Sequence, residues 1–262
     1  MPCQSATPYH LIRTRVGFAL EPTYRILVRN LREHSRLGDE DIEQIKRLSF
    51  VVRPYQPNED VIRQGDTPTA AALVLSGMVG RYHLLRDGRR QYLSFHITGD
   101  MPDAQGLFIE QMDHTVCALG HAVIAFIPHA ELVRAFKARP ALGFAIWRET
   151  LIDAAIFREA ITNNSARPVL TRMAHLFCEL FYRARVSGLT EHNRLELPLN
   201  LVQLGEGLGM SIATVNRTLQ QLRISGSVEF RDGVLTVKNW AKLERLGEFE
   251  PQYLHLKKAS LL

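Results

Sequence analysis

The residues best placed for chemistry lie in the stretch LVQLGEGLGMSIATVNRTLQQLR, from Leu201 to Arg223. Val215, Leu219 and Leu222 recur at helical spacing, which turns Asn216 and Arg217 toward the opposite face. Polar side chains on such a face can read base edges in a major groove, and an arginine there can pair bidentately with a guanine. Ser211 stands where it would cap the helix, so Ser211 and the first amides form an anion site suited to phosphate. Gln203 and Thr214 are expected as further phosphate contacts, and Ile212 or Ala213 as contacts to a thymine methyl. Arg217 also suits a solvated surface charge or a phosphate contact, and the sequence leaves that choice open.

Other chemistry has less support. The three cysteines, Cys3, Cys117 and Cys178, form no CxxC pair, so neither a thiolate metal site nor a disulfide framework is expected. His83 and His96 lie on neighbouring expected strands and could face each other, but no HxH pair with a nearby acid accompanies them. No metal or cofactor is expected. The chain has no phosphate-cradling Gly-rich loop, GxSxG elbow or HExxH motif, so no enzyme is expected either.

The elements that must position these residues follow from periodicity. Leu201, Leu204 and Leu208 mark one helix, Gly209 a tight turn and Ser211 the cap of a second helix, with small Gly205 allowing the two to cross closely. Gly205 and Gly207 weaken the first helix by up to about 1 kcal/mol each, so tertiary contacts must compensate. VEFRDGVLTV, residues 228–237, reads as two strands about a tight Asp232-Gly233 turn, which makes the whole a winged helix-turn-helix. Upstream, 37–49 and 129–138 read as short helices and 168–185 as a longer one. LELPL (195–199) reads as a half-buried strand. Between Phe50 and Ile127 short β-rich runs alternate with turn residues, the signature of a β sandwich or barrel, and Asp87-Gly88 marks a tight hairpin within it.

The segment from Ala141 to Asn164 reads as a long helix. Phe144, Trp147, Leu151, Ala154 and Ile161 form a 3-4 seam interrupted by Arg158, while Ile146, Ile152 and Ile156 make the other face apolar too. Two apolar sides favour a helix that packs on its own domain and also pairs with a second copy.

The net charge is +5 and its positive excess falls at the two ends of the chain, which suits a polyanion partner but also ordinary surface variation. No run of 18 apolar residues and no leader-like N-terminus occur, so a membrane span is not expected and the cytoplasm is the expected compartment.

The sequence resembles the catabolite activator / fumarate-nitrate regulator (CRP/FNR) family of bacterial transcription factors over about residues 35–245. The resemblance rests on Ser76-Gly77, Asp87-Gly88, Gly99-Asp100, the long helix and, most specifically, GMSIATVNRTLQQLRISG with the wing after it. It implies an α+β chain: a cyclic-nucleotide-binding-like β jelly roll (35–139) after an N-terminal extension (1–34), a dimerisation helix (140–165), a winged helix-turn-helix (166–250) and a tail (251–262). It also implies a homodimer on an inverted-repeat operator of double-stranded DNA, with RNA polymerase as a further partner. The effector pocket would fall at Asp103, Ala104, His114, Thr115, Phe157 and Arg158. The family's Gly-Glu is replaced here by Asp103-Ala104, and its phosphate-pairing Arg by Asp113-His114-Thr115, so cyclic AMP is not the expected effector. Ile212-Ala213 stands where many members carry Arg-Glu, so the usual half-site is not implied. The alternative is a small-ligand sensor module whose helix-turn-helix is structural or has lost DNA binding.

Overall fold

The structure is a computed structural model that describes residues 20–256. Cys3 and most of the expected N-terminal extension lie outside the described residues. Helix α1 (Leu20–His34) buries Leu27, Val28 and Leu31, and α2 (Asp39–Lys46) begins at Gly38 with three acids in its first turn, the end where the helix dipole favours them.

Seven strands follow: β1 (Val51–Tyr55), β2 (Asp60–Ile62), β3 (Ala70–Ser76), β4 (Val79–Leu84), β5 (Arg90–His96), β6 (Thr115–Ala118) and β7 (Ala122–Pro128). They form two antiparallel sheets, ordered β1-β7-β3 and β2-β6-β4-β5, which agrees with the expected jelly roll. A core of Ala72, Val74, Val79, Val116 and Ile124 packs between them. The β4–β5 hairpin differs in detail from the tight two-residue turn expected at Asp87-Gly88. Leu85 N–H donates to Arg89 O at 2.8 Å and Gly88 N–H to Leu85 O at 3.0 Å, enclosing a three-residue loop in which Gly88 takes a positive φ. The register then sets His83 opposite Gln91 and His96 opposite Val79, so the two histidines do not face each other. His83 Nε2 meets Asp113 O and His96 Nε2 meets Ser94 Oγ instead.

Helix α3 (His129–Ala138) stops before Pro140, which opens α4 (Pro140–Ala166). One face of α4 buries Ile146, Ile152 and Ile156 in its own chain. The seam side chains Phe144 (64% exposed), Trp147 (52%), Leu151 and Ile161 stand in solvent, with Ala154 half-buried. Helix α5 (Val169–Val186) folds back and carries the buried Phe177, Cys178 and Phe181. Strand β8 (Arg194–Glu196) is shorter than expected, ending before Pro198, although Leu197 and Leu199 remain buried. Helices α6 (Leu201–Leu208) and α7 (Ile212–Ile224), strands β9 (Val228–Arg231) and β10 (Val234–Val237) and helix α8 (Trp240–Gly247) complete the C-terminal half, with a sheet ordered β8-β10-β9.

The two halves are in contact. A Cβ on Gly207 would lie 2.7 Å from the Phe95 ring, so only glycine lets α6 sit this close to β5. Gln91 Nε2 donates to Glu206 O at 2.6 Å and Asn164 Nδ2 to Gly207 O at 3.1 Å.

Candidate nucleic-acid interface

The turn between α6 and α7 is built from both ends. Asn200 and Gln203 cap α6 reciprocally: Gln203 N–H donates to Asn200 Oδ1 and Asn200 N–H to Gln203 Oε1, both at 2.9 Å. Gly209 ends α6 in the left-handed region at φ 64°. A Cβ on Gly205 would lie 2.6 Å from Met210 O and 3.6 Å from Val215 Cγ2, which is the close crossing that compensates for a glycine in the helix. Ser211 caps α7 by accepting from Thr214 N–H at 3.2 Å.

Val215, Thr218 and Leu222 face inward from α7, and Thr218 Oγ donates to Thr214 O at 2.8 Å. Ser211, Ile212, Ala213, Asn216 and Arg217 are exposed and Thr214 is half-buried. This brings the expected base-reading and phosphate residues onto one outward surface, except for Gln203. That residue is 3% exposed and its Oε1 is engaged in the cap, so it stands apart from the outward surface and serves the start of α6. The spacing Asn200-x-x-Gln203 was the available signal for the cap. The outward stripe also runs further than expected. Gln220 and Gln221 are exposed one turn beyond Arg217, a continuation that i+3 and i+4 spacing from Arg217 would have found.

The wing is a two-residue hairpin with positive φ at both Asp232 (51°) and Gly233 (73°), the geometry that a type I′ turn requires. Arg231 and Asp232 stand exposed at its tip.

Most of the expected effector positions are engaged by other groups of the chain. Asp103 is fully buried, its Oδ1 accepts from Ala72 N–H at 2.7 Å, and burial pushes its carboxyl up to about 7. Ala104 is buried at the start of a short 3₁₀ turn (Ala104–Leu107). His114 Nδ1 lies 2.7 Å from Asp113 Oδ1, and burial, aided by the charge of Arg81, pushes the imidazole down to about 4. Thr115 Oγ accepts from Gln64 N–H at 3.1 Å.

The cation among them is Arg81, which the sequence reading did not single out. It is 1% exposed. Its Nε donates to Pro102 O at 2.6 Å, one terminal nitrogen to Asp153 Oδ2 of α4 at 2.5 Å and the other to Gln105 Oε1 at 3.4 Å, while the guanidinium lies 5.3 Å from the centre of the Phe157 ring. Arg158, expected beside Phe157 in the pocket, is exposed. It projects from the solvent-facing seam between Ala154 and Ile161, because one residue of helix rotates it about 100° from Phe157. Cys117 and Cys178 are buried, and burial raises both thiols. No group of three or more metal-ligating side chains occurs among the described residues, and no described helix is long and apolar enough to cross a membrane.

Comparison with known proteins agrees with this architecture. Residues 52–139 match the model of the cyclic nucleotide-binding domain and residues 171–246 that of the Crp-like helix-turn-helix domain, together more than half of the chain. The chain is 25% identical to the nitrogen fixation regulation protein FixK of Bradyrhizobium diazoefficiens over 214 residues, covering 81% of this chain and 88% of that one. It is 23% identical to the transcriptional activator protein FnrA of Stutzerimonas stutzeri, over 74% of this chain and 79% of that one. Among solved structures, FixK2 from Bradyrhizobium japonicum superposes with a TM-score of 0.68 at 23% identity, covering 76% of this chain and 98% of that one. With a cyclic-nucleotide-binding-like roll, a long helix and a Crp-like winged helix in the expected order, the chain belongs to the CRP/FNR family of transcription regulators.

Proposed function

We propose that the chain acts as a homodimer that binds an inverted-repeat operator in double-stranded DNA, with α7 in the major groove and the wing beside it. The observation that carries this reading is the outward face of α7, where Ala213, Asn216, Arg217 and Gln220 are exposed while Val215, Thr218 and Leu222 supply the packing. Arg217 is assigned a bidentate contact with a guanine in each half-site, Asn216 and Gln220 contacts to base edges, and Ile212 or Ala213 the thymine methyl. Ser211, Thr214 and the first amides of α7 are assigned to phosphate.

Pairing is assigned to the α4 seam of Phe144, Trp147, Leu151, Ala154 and Ile161. An exposed apolar stripe of this extent is uncommon on a monomer. RNA polymerase is the expected further partner and the cytoplasm the expected compartment. The roll is assigned no response to cyclic AMP, since Asp103, His114 and Arg81 already have partners within the chain.

Arg217→Ala tests the assignment. It should cost roughly 1–3 kcal/mol per half-site and flatten preference at one base position without changing the fold. Operator and scrambled-duplex binding would be compared for both proteins at two salt concentrations. Unchanged discrimination, with a salt slope lower by about one per contact, would place Arg217 on phosphate instead.

A further inference from the structure

Five parts of the chain meet in one buried junction: α1, the segment after β5, α4, the end of α5 and residues 254–256 beyond α8. They enclose a cavity of about 40 Å³. Both α1 and residues 254–256 lie outside the stretches matched by the two family models.

The polar groups at this junction tie the halves together. From the roll, Asp100 Oδ2 accepts from Arg183 of α5 at 2.5 Å, and Arg183 also donates to Phe95 O at 3.2 Å. His96 Nδ1 lies 3.7 Å from the same Asp100 oxygen. From α4, Glu149 meets His34 Nε2 at 2.8 Å and Asp153 is held by Arg81. From α5, Glu179 faces Arg183 and accepts from Tyr253 Oη at 2.9 Å. Glu33 of α1 differs from these carboxylates. Among the described residues its hydrogen-bond contact is the neutral Ser187 hydroxyl at 2.7 Å, and the charge of Arg29, on its own helix, only partly offsets the rise that burial causes. Asn30, 7% exposed, adds a carbonyl Oδ1 to the cavity wall for which no donor is found among the described residues.

We infer that this junction is a proton-operated latch, which holds the winged-helix half against the roll while Glu33 is protonated and loosens when Glu33 ionises. A protonated Glu33 keeps its bond to Ser187 and adds no charge. An ionised one places a further negative charge beside Asp100 and Glu149 with, among the described residues, only the Ser187 hydroxyl hydrogen-bonded to it.

The direction follows from linkage. Burial raises Glu33 to about 7 and, against the opposing Arg183, Asp100 to about 6. Their contribution to closure is complete at acid pH and is lost as pH rises through those values. Taking ordinary values for the open state, ionisation from pH 6 to 8 weakens closure about tenfold through Glu33 and about twofold through Asp100. His96 acts the other way. Burial holds it neutral when closed, so opening at pH 6 lets it take up a proton, and this offsets about fourfold. The net expectation is closure weaker by about fivefold at pH 8 than at pH 6.

The test is hydrogen–deuterium exchange of the full chain at pH 6 and pH 8, normalised to the unstructured-peptide rate, read in segments 92–97 and 203–208 that face each other across the halves. Wild type should lose protection about fivefold at pH 8, and Glu33→Gln, neutral at both, should reverse to a gain of about twofold. Equal wild-type protection at the two pH values would overturn the latch without recourse to any variant, as would a Glu33→Gln protein that follows wild type. No DNA enters the measurement, so its failure is separate from failure of the DNA-binding reading.

Discussion

Removing Arg81 should show that the roll and α4 are joined by a buried charge and not by shape alone. Arg81→Leu keeps an apolar stem in place but deletes the bonds to Asp153 Oδ2 and Pro102 O. Loss of the charge-assisted bond is worth about 2 kcal/mol, and leaving Pro102 O without its donor about 1–2 kcal/mol more. The sum, about 3–4 kcal/mol, agrees with the usual cost of breaking a buried pair from one side. At fixed protein concentration it corresponds to a fall in Tm of roughly 10 °C.

The deficit should depend on pH. Burial already raises the Asp153 carboxyl, and Arg81 is the main charge opposing that rise. Without Arg81 the folded-state value moves further above the unfolded one. The variant is then least impaired at low pH, where Asp153 is protonated in both states, and loses stability as pH rises through the raised folded value. Urea unfolding of wild type and variant at pH 5.5 and pH 8 reads this difference, and Asp103, His96 and His114, whose pKa values the Arg81 charge also lowers, rise with its loss and act in the same direction, sparing the variant at low pH. Adding Asp153→Leu should recover most of the loss, since a buried pair replaced on both sides by apolar groups is close to neutral. A deficit equal at both pH values and unrelieved by the second substitution would mean that Arg81 merely fills space.

Three further outcomes are expected. Leu151→Glu should convert the dimer to monomer in light scattering at micromolar concentration, because two carboxylates near the twofold axis would cost several kcal/mol; a dimer of unchanged mass would move the interface elsewhere. Gly205→Ala should destabilise the C-terminal half despite alanine's advantage of about 1 kcal/mol in helices, because its Cβ would lie 2.6 Å from Met210 O; a rise in thermal stability would refute the close crossing. Titration calorimetry with cyclic AMP should show no binding, and micromolar affinity would overturn the assignment of no cyclic AMP response to the roll.

What could be read from the sequence depended on how locally each feature is determined. The outward face of α7 follows from one helix's own periodicity, and the Asp232-Gly233 turn from two residues that tolerate positive φ. Both were legible. Asp87-Gly88 has the same letters, but the β4–β5 ladder there closes one residue wider, a choice set by register and not by the pair. Arg81 was illegible because an arginine in an alternating strand reads as outward-facing. Here Val79, Gly80, Arg81 and Tyr82 are all buried, since the Pro102–Gln105 segment and α4 cover the face that solvent would occupy. The docking of Gly207 on Phe95 joins residues more than a hundred positions apart, and no local pattern announces it.

The exposed seam on α4 has a consequence for gene dosage. On the proposed pairing through Phe144, Trp147, Leu151 and Ile161, all exposed in the single chain, the amount of paired protein at low abundance rises with the square of chain concentration. Doubling expression below the dissociation constant then yields about fourfold more dimer. An operator that needs both half-sites filled sees that steeper curve, so the level at which the chain is made is itself an input to the regulator, before any effector acts.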